Sequence, residues 1–260
     1  MNRSGKVVGR AAEAVEAVPD GAALAVGGFG LAGIPWFLIE AVLEQGAQDL
    51  TVVSNNCGVD GAGLGLLLEH RRISRVIASY VGENKEFARQ YLAGELTVEL
   101  TPQGTLAERL RAGGSGIGAF FTPTGVGTLV AEGGLPWRYH ADGTVALASP
   151  AKEVRPFLGR DMVLEEGIVT DYALIRAAVA DPLGNCVFHA AARNFNPAAA
   201  MAGRVTVVEA EKVVEVGDLG PDDIHLPRAF VQHVVALTRE QAAYKDIEKR
   251  TTTPRPEGTA

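Results

Sequence analysis

The sequence has little that would cross-link it, anchor it or secrete it. Its 260 residues include only two cysteines, Cys57 and Cys186, so a disulfide framework is not expected. No apolar run approaches the roughly 20 residues of a membrane span. The opening residues, 1–6, are not followed by the apolar segment that a signal peptide needs. These features predict a cytoplasmic protein.

Positive charge is also sparse. The net charge is -7, and the densest basic group is the short stretch His70-Arg71-Arg72. Nucleic-acid binding depends on clustered Lys and Arg, so the composition argues against it. The five histidines lack metal-ligand spacing such as H-E-x-x-H, and no metal site is expected. At 47% hydrophobic and 21% charged residues, the chain can form a sizeable core.

Short apolar runs alternate with helical patterns along the first 115 residues. The predicted strands cover 22–26, 50–54, 75–79 and 96–100. The predicted helices cover 10–18, 35–44, 64–70, 84–93 and 105–112, the last closed by Gly113-Gly114. This alternation, with few hairpin signals, predicts an α/β fold built on an open, mainly parallel sheet with flanking helices.

The residue composition and the strand–helix pattern change after residue 121. Residues 122–160 are rich in Gly, Pro and Thr, with a strand-like piece at 144–148. Further strands are predicted at 162–165, 172–178, 185–188 and 205–209. No internal repeat is evident. We expect a single domain over residues 1–245 and a loose tail over 246–260.

A glycine loop follows the first predicted strand. Gly28-Phe29-Gly30-Leu31-Ala32-Gly33 matches the G-x-G-x-x-G pattern of dinucleotide sites. Such glycines let backbone N–H groups face an anion or a developing oxyanion. A dinucleotide site also needs an acidic residue after the next strand, where this sequence has Ser54-Asn55-Asn56. An NAD-dependent oxidoreductase and a turn without a ligand both remain open here.

Side-chain amides stand at two other predicted strand ends. Asn55 and Asn56 end one strand, and Gln103-Gly104 follow another. Open α/β sheets bind ligands at these carboxyl ends, so these residues are expected to support a substrate oxygen or oxyanion. An Asx turn is the alternative for the asparagines. Cys57 is expected to be a small buried residue rather than a nucleophile.

Seven segments in chain order resemble the class I CoA-transferases. The segments are Gly27-Gly28-Phe29 with Gly33-Ile34-Pro35, then 54–60, 79–84, 94–96, 101–109, 122–128 and 192–196. The resemblance covers roughly residues 10–235 and is strongest to alpha subunits of the succinyl-CoA:3-oxoacid CoA-transferase family. It implies transfer of CoA from an acyl-CoA, such as succinyl-CoA, to a small 3-oxo acid through a glutamyl-CoA intermediate. It also implies a CoA-binding loop at Gly27 to Gly33 and no cofactor besides the CoA thioester.

The resemblance places the nucleophile outside this chain. The family carries its glutamate in a Ser-Glu-Asn-Gly-type motif of the beta half, and that motif is absent here. Glu83 is expected to be an acid at a helix start, and Glu165 and Glu166 to lie at a solvated strand end. We therefore expect a beta-subunit partner in an α2β2 heterotetramer. A non-catalytic, sugar-phosphate-sensing α/β module remains an alternative, because fold does not fix function.

Overall fold

The structure is a computed structural model that describes residues 5–245. The tail predicted over 246–260 lies outside the described residues. The strands are β1 (Val7–Val8), β2 (Ala23–Val26), β3 (Leu50–Val53), β4 (Ile73–Ala78), β5 (Thr97–Leu100), β6 (Ala119–Thr122), β7 (Pro136–Tyr139), β8 (Val145–Ala148), β9 (Val154–Phe157), β10 (Arg160–Glu166), β11 (Thr170–Ala177), β12 (Val179–Ala180), β13 (Cys186–Val187), β14 (Gly203–Ala210) and β15 (His233–Ala236). The helices are α1 (Ala11–Val15), α2 (Trp36–Gln45), α3 (Leu64–Glu69), α4 (Lys85–Leu92), α5 (Gln103–Gly114), α6 (Leu129–Glu132), α7 (Asn196–Ala202) and α8 (Arg239–Ala243).

Eight strands form one sheet in the order β1-β15-β14-β11-β2-β3-β4-β5. Every neighbouring pair in it is parallel. The predicted open, mainly parallel α/β fold is therefore confirmed. The chain winds outward from β2 to β5 and then returns to the other side of β2 with β11. The gap between β2 and β11 is thus a topological switch point, where open sheets bind ligands.

Two hydrophobic clusters cover the two faces of this sheet. Successive strand residues point to opposite faces, so Leu24 belongs to one cluster and Ala25 to the other. Helices α1 to α4 pack into the first cluster, and α5 and α7 pack into the second. Strands buried on both faces read as continuous apolar runs, which is why β2 and β3 were predictable.

The region after residue 118 departs from the βα pattern. Strands β6, β10 and β9 form a three-stranded antiparallel sheet, and β7 pairs with β8 as a second antiparallel unit. All residues of β8 and β9 are exposed. The Gly- and Pro-rich texture of 122–160 therefore corresponds to short exposed strands beside the edge strand β5.

Two predicted helix boundaries are wrong for physical reasons. Helix α5 continues through Gly113 and Gly114 instead of ending there. A Cβ at these positions would collide with the carbonyl oxygens of Ile168 and Met201, so both glycines permit close packing. Pro35 is the N-cap of α2 rather than its first residue. Helix α7 and strand β15 were not predicted.

Candidate active site

The first glycine loop, residues 27–33, is a tight hairpin between β2 and α2. Phe29 and Ala32 exchange two backbone hydrogen bonds, of 3.1 and 3.0 Å. Gly28 has a φ of +112°, a conformation that L side chains rarely adopt. Leu31 is buried, whereas Phe29 is half exposed. The loop therefore needs its glycines for shape, and it presents an aromatic ring at its tip.

Two asparagines hold this loop. Asn196 Nδ2 donates to the carbonyl of Gly33 (3.0 Å), and Asn194 Nδ2 donates to the carbonyl of Ala32 (3.1 Å). A Cβ at Gly27 would collide with Asn196 Oδ1. The sequence grouped 192–196 with the glycine loop only through family resemblance, and the structure shows that the two segments are in contact.

Backbone donors of the loop are left over. The N–H of Gly27 donates to the Leu174 carbonyl (3.0 Å), whereas those of Gly28 and Gly30 meet no acceptor among the described residues. Gly28 is buried, and buried backbone N–H groups are rarely left without a partner. Both glycines line a small cavity of about 10 Å³ with Ser54 and Asn56. Two residues whose backbone N–H groups have no acceptor among the described residues therefore border this cavity.

A second glycine loop, residues 58–63, repeats the first. Gly58-Val59-Asp60-Gly61-Ala62-Gly63 follows β3, and Val59 and Ala62 exchange backbone hydrogen bonds of 3.3 and 3.1 Å. The two segments share only the spacing Gly-x-x-x-Ala-Gly, which was too weak for the sequence analysis to find. Asn56 Nδ2 donates to the Gly30 carbonyl (3.3 Å) and so connects the two loops.

The amides predicted at the strand ends come together. Asn55 Oδ1 accepts hydrogen bonds from Ser79 Oγ (2.9 Å) and Gln103 Nε2 (2.7 Å). Its own Nδ2 donates to Asn56 Oδ1 (3.1 Å). Asn55 is 2% exposed, so it orients its neighbours from beneath, while Gln103 and Gly104 lie at the surface. The carboxyl ends of β3, β4 and β5 thus carry one continuous amide network.

A larger pocket of about 650 Å³ lies beside the two loops. It is lined by Leu31 and Val59 from the loops and by 82–85 and Ala88 from the start of α4. Tyr80 follows β4 and exposes 58% of its surface, and Leu100 ends β5 and exposes 42%. The volume is in the range of small-molecule sites, and the exposed apolar side chains suit an extended ligand or a protein partner.

The start of α2 is already occupied by a carboxylate. Glu209 Oε2 accepts a hydrogen bond from the backbone N–H of Leu38 (3.0 Å), in the first turn of α2. Burial raises the pKa of Glu209 to about 7, although Arg176 and the helix N–H groups act against the rise. A dinucleotide fold offers this helix end to a pyrophosphate. Glu209 therefore counts against the dinucleotide interpretation of the G-x-G-x-x-G motif.

The predicted carboxylates occupy three different environments. Glu83 is exposed, precedes the N-cap Asn84 of α4 and lines the larger pocket, but not the small cavity. Glu166 is exposed, as expected. The prediction for Glu165 is wrong: it is 2% exposed and bonded to Lys152 Nζ (2.6 Å). The apolar run before Glu165 did not indicate this pair, because Lys152 lies in the connection between β8 and β9.

Three further observations concern residues 5–245. Cys57 is fully buried, and burial raises the pKa of its thiol, which makes it a poor nucleophile. No group of three His, Cys, Asp or Glu side chains in this range could hold a metal ion. Over the same range, no helix has both the length and the apolar character that crossing a membrane requires.

Comparison with known proteins gives consistent matches. The family described as Coenzyme A transferase matches residues 8–237. The A subunit of a probable succinyl-CoA:3-ketoacid coenzyme A transferase from Mycobacterium tuberculosis (strain ATCC 25618 / H37Rv) is 61% identical over 95% of this chain and 98% of its own. The mitochondrial succinyl-CoA:3-ketoacid coenzyme A transferase 2 of Homo sapiens is 52% identical over 95% of this chain, which spans only 47% of the human protein.

A solved structure supports the fold. The acyl-CoA transferase of Escherichia coli O157:H7 superposes with a TM-score of 0.75 at 22% identity, over 90% of this chain and 47% of the other. The chain therefore spans about half the length of that protein.

An open parallel sheet with glycine loops at its carboxyl edge is the architecture of an α/β domain that binds its ligands at that edge. The chain belongs to the coenzyme A transferase family, as an alpha-type subunit of class I. Neither the oxidoreductase nor the sugar-phosphate-sensing module is supported by these matches.

Proposed function

We propose that this chain is the alpha subunit of a heteromeric 3-oxoacid CoA-transferase. The enzyme moves CoA from an acyl-CoA such as succinyl-CoA to a small 3-oxo acid. The observation that carries this proposal is the small cavity in which Gly28 and Gly30 offer unpaired N–H groups beside Asn56. Among the described residues that line this cavity, none carries a carboxylate. The substrates are those in the names of relatives 61% and 52% identical to the chain.

The chemistry requires a carboxylate and an oxyanion site. A glutamate of the partner attacks the thioester carbonyl, and the C–S bond breaks to give a mixed anhydride and CoA thiolate. The thiolate then attacks the glutamyl carbonyl, forming glutamyl-CoA and releasing the first acid as its carboxylate. The acceptor acid reverses these steps. Each addition places negative charge on a carbonyl oxygen, which the N–H groups of Gly28 and Gly30 stabilise.

The remaining site residues receive supporting roles. Residues 27–33 form one wall of the CoA site, with Phe29 at its exposed tip. Gln103, oriented by Asn55, donates to the substrate carboxylate, and Gly104 leaves open space beside it. Asn56 ties the first glycine loop to the amide network. The cycle uses no metal or redox cofactor in this proposal.

A partner supplies what this chain lacks. The human relative is about twice as long as the matched segment, and the bacterial relatives are named as A subunits. A beta subunit carrying the Ser-Glu-Asn-Gly-type motif would correspond to the other half. We propose an α2β2 assembly in the cytoplasm, with acyl-CoA and small carboxylic acids as its substrates.

Mixing tests the proposal. The purified chain should show no transferase turnover alone, and turnover should appear when a beta-type partner is added. Because a covalent intermediate separates the two half-reactions, double-reciprocal plots of the mixture should be parallel. Equal turnover with and without the partner, or intersecting lines, would contradict the proposal.

A further inference from the structure

A buried side-chain network supports the first glycine loop. Arg176, in β11, connects Asn196 to Glu209. The backbone N–H of Arg176 donates to Asn196 Oδ1 (3.1 Å), and its Nη1 donates to Glu209 Oε1 (3.3 Å). Asn196 in turn holds Gly33, as described above. Asn196 and Glu209 are fully buried, and Arg176 is 4% exposed. One arginine therefore connects the loop to the start of the helix that follows it.

Glu209 fixes the chain just beyond the loop. Its carboxylate accepts from the Leu38 N–H in the first turn of α2, an end of the helix that favours negative charge. The loop exit is thus held at Gly33 by Asn196 and at Leu38 by Glu209. Only residues 34–37 lie between these two attachments, so movement of either attachment would shift the N–H groups of the loop.

Stability alone does not explain this buried pair. Replacing a buried ion pair by apolar residues is often neutral or stabilising, because burial removes both charges from water. Glu209 illustrates the cost, since burial raises its pKa from the ordinary 4.5 to about 7. The raised pKa means that the folded state loses stability as pH rises from about 4.5 through 7. Because burying the Glu209 carboxylate is unfavourable, we expect it to serve in positioning the segment that it contacts.

We propose that Glu209 is a positioning residue, whose ionised carboxylate acts through Arg176 and the first turn of α2 to hold the glycine loop in its working conformation. The link to turnover rests on the proposed transferase function, whereas the hold on the loop does not. Arg176 from β11 is the charged group paired with Glu209 among the described residues, and Glu211, the residue after β14, connects Arg176 to Lys245. Arg176 Nε donates to Glu211 (3.0 Å), and Lys245 pairs with Glu211 (3.0 Å).

The test compares Glu209→Gln with Glu211→Gln. Glutamine keeps the size of the side chain and removes its charge. Glu211 also pairs with Arg176, but among the described residues it has no hydrogen bond or ion pair to α2. In the assembled enzyme, Glu209→Gln should lower kcat about tenfold near pH 8 with little change in KM, because a misplaced donor acts on the transition state. Hydrogen exchange of peptides covering 27–38 should accelerate about tenfold or more. Glu211→Gln should stay within about twofold of wild type in both.

The pH profile adds a readout that a structural role would not change. Wild-type kcat should fall as pH drops through about 7, because protonation removes the charge, and Glu209→Gln should lack this limb. The melting temperature of the Glu209→Gln enzyme should equal or exceed that of wild type. Unchanged exchange in Glu209→Gln overturns the proposal whatever the activity.

Accelerated exchange with wild-type kcat in an active complex also overturns the proposal. A wild-type complex without turnover would refute the proposed function, while exchange would still decide whether Glu209 holds the loop. If Glu209→Gln cannot be purified, Glu209→Asp serves instead, because its shorter carboxylate keeps the charge but withdraws from α2. It should show the same accelerated exchange and lowered kcat, and wild-type values in both would contradict the proposal.

Discussion

The two glycine loops at the carboxyl edge of the sheet share a hairpin shape but differ in their supports. The second loop is held by neighbours close in sequence: Asn84 Nδ2 donates to the Cys57 carbonyl (2.9 Å), and Glu69 accepts from the Gly61 N–H (2.5 Å). The first loop is held by Asn194 and Asn196, about 160 residues further along the chain. The supports of the second hairpin are therefore local, whereas the first hairpin also depends on contacts from the second half of the chain.

The difference also extends to packing around the glycines. A Cβ at Gly58 would collide with the Ala62 carbonyl and come within 2.8 Å of the Gly65 nitrogen. A Cβ at Gly28 would meet the side chain of Ile34 first, at 3.1 Å. A side chain can change its rotamer to make room for the added atoms, whereas the hydrogen-bonded backbone cannot. Folding thus requires glycine at position 58, whereas a side chain at position 28 would mainly displace the Ile34 side chain.

Replacing glycine by valine in each loop would distinguish a role in folding from a role in activity. The largest effect on stability is expected at Gly58. Gly58→Val should destabilise the chain by about 2 kcal/mol or more, because added atoms meet fixed backbone. Thermal unfolding and gel filtration with the partner measure the loss. A Gly58→Val protein with wild-type stability would remove the contrast between the loops.

At Gly28, activity should suffer more than folding. Gly28→Val should lower turnover roughly 100-fold, the scale found when one oxyanion donor is lost, while circular dichroism and assembly with the partner stay normal. Strain from the positive φ should cost part of the stability but not the fold. A folded, assembled Gly28→Val enzyme with near-normal rates would refute the role given to the loop.

A smaller effect is expected at the edge of the amide network. Gln103→Ala should lower kcat/KM about tenfold, because one hydrogen bond to a charged substrate group is lost. Glu108→Ala, on the same helix and in an exposed pair with Arg111, is the matched control and should leave the rates unchanged. Similar losses in both variants would point to α5 as a whole rather than to the Gln103 amide.

The sequence was informative where structure depends on local patterns. Parallel strands buried on both faces appear as apolar runs, so β2 to β5 and the amides at their ends could be placed. Long-range contacts left no such pattern. The packing roles of Gly113 and Gly114, the burial of Glu165 and the Glu209 contact with α2 each depend on a residue distant in sequence.

Covalent trapping tests the central claim most directly: this chain binds and polarises the thioester while its partner provides the nucleophile. The assembled enzyme would be treated with acyl-CoA, reduced with borohydride and mapped by peptide mass spectrometry. The account predicts one reduced glutamate, located in the partner, and inactivation only after pre-treatment with acyl-CoA. A modified Glu83, Glu165 or Glu166 in this chain would contradict it.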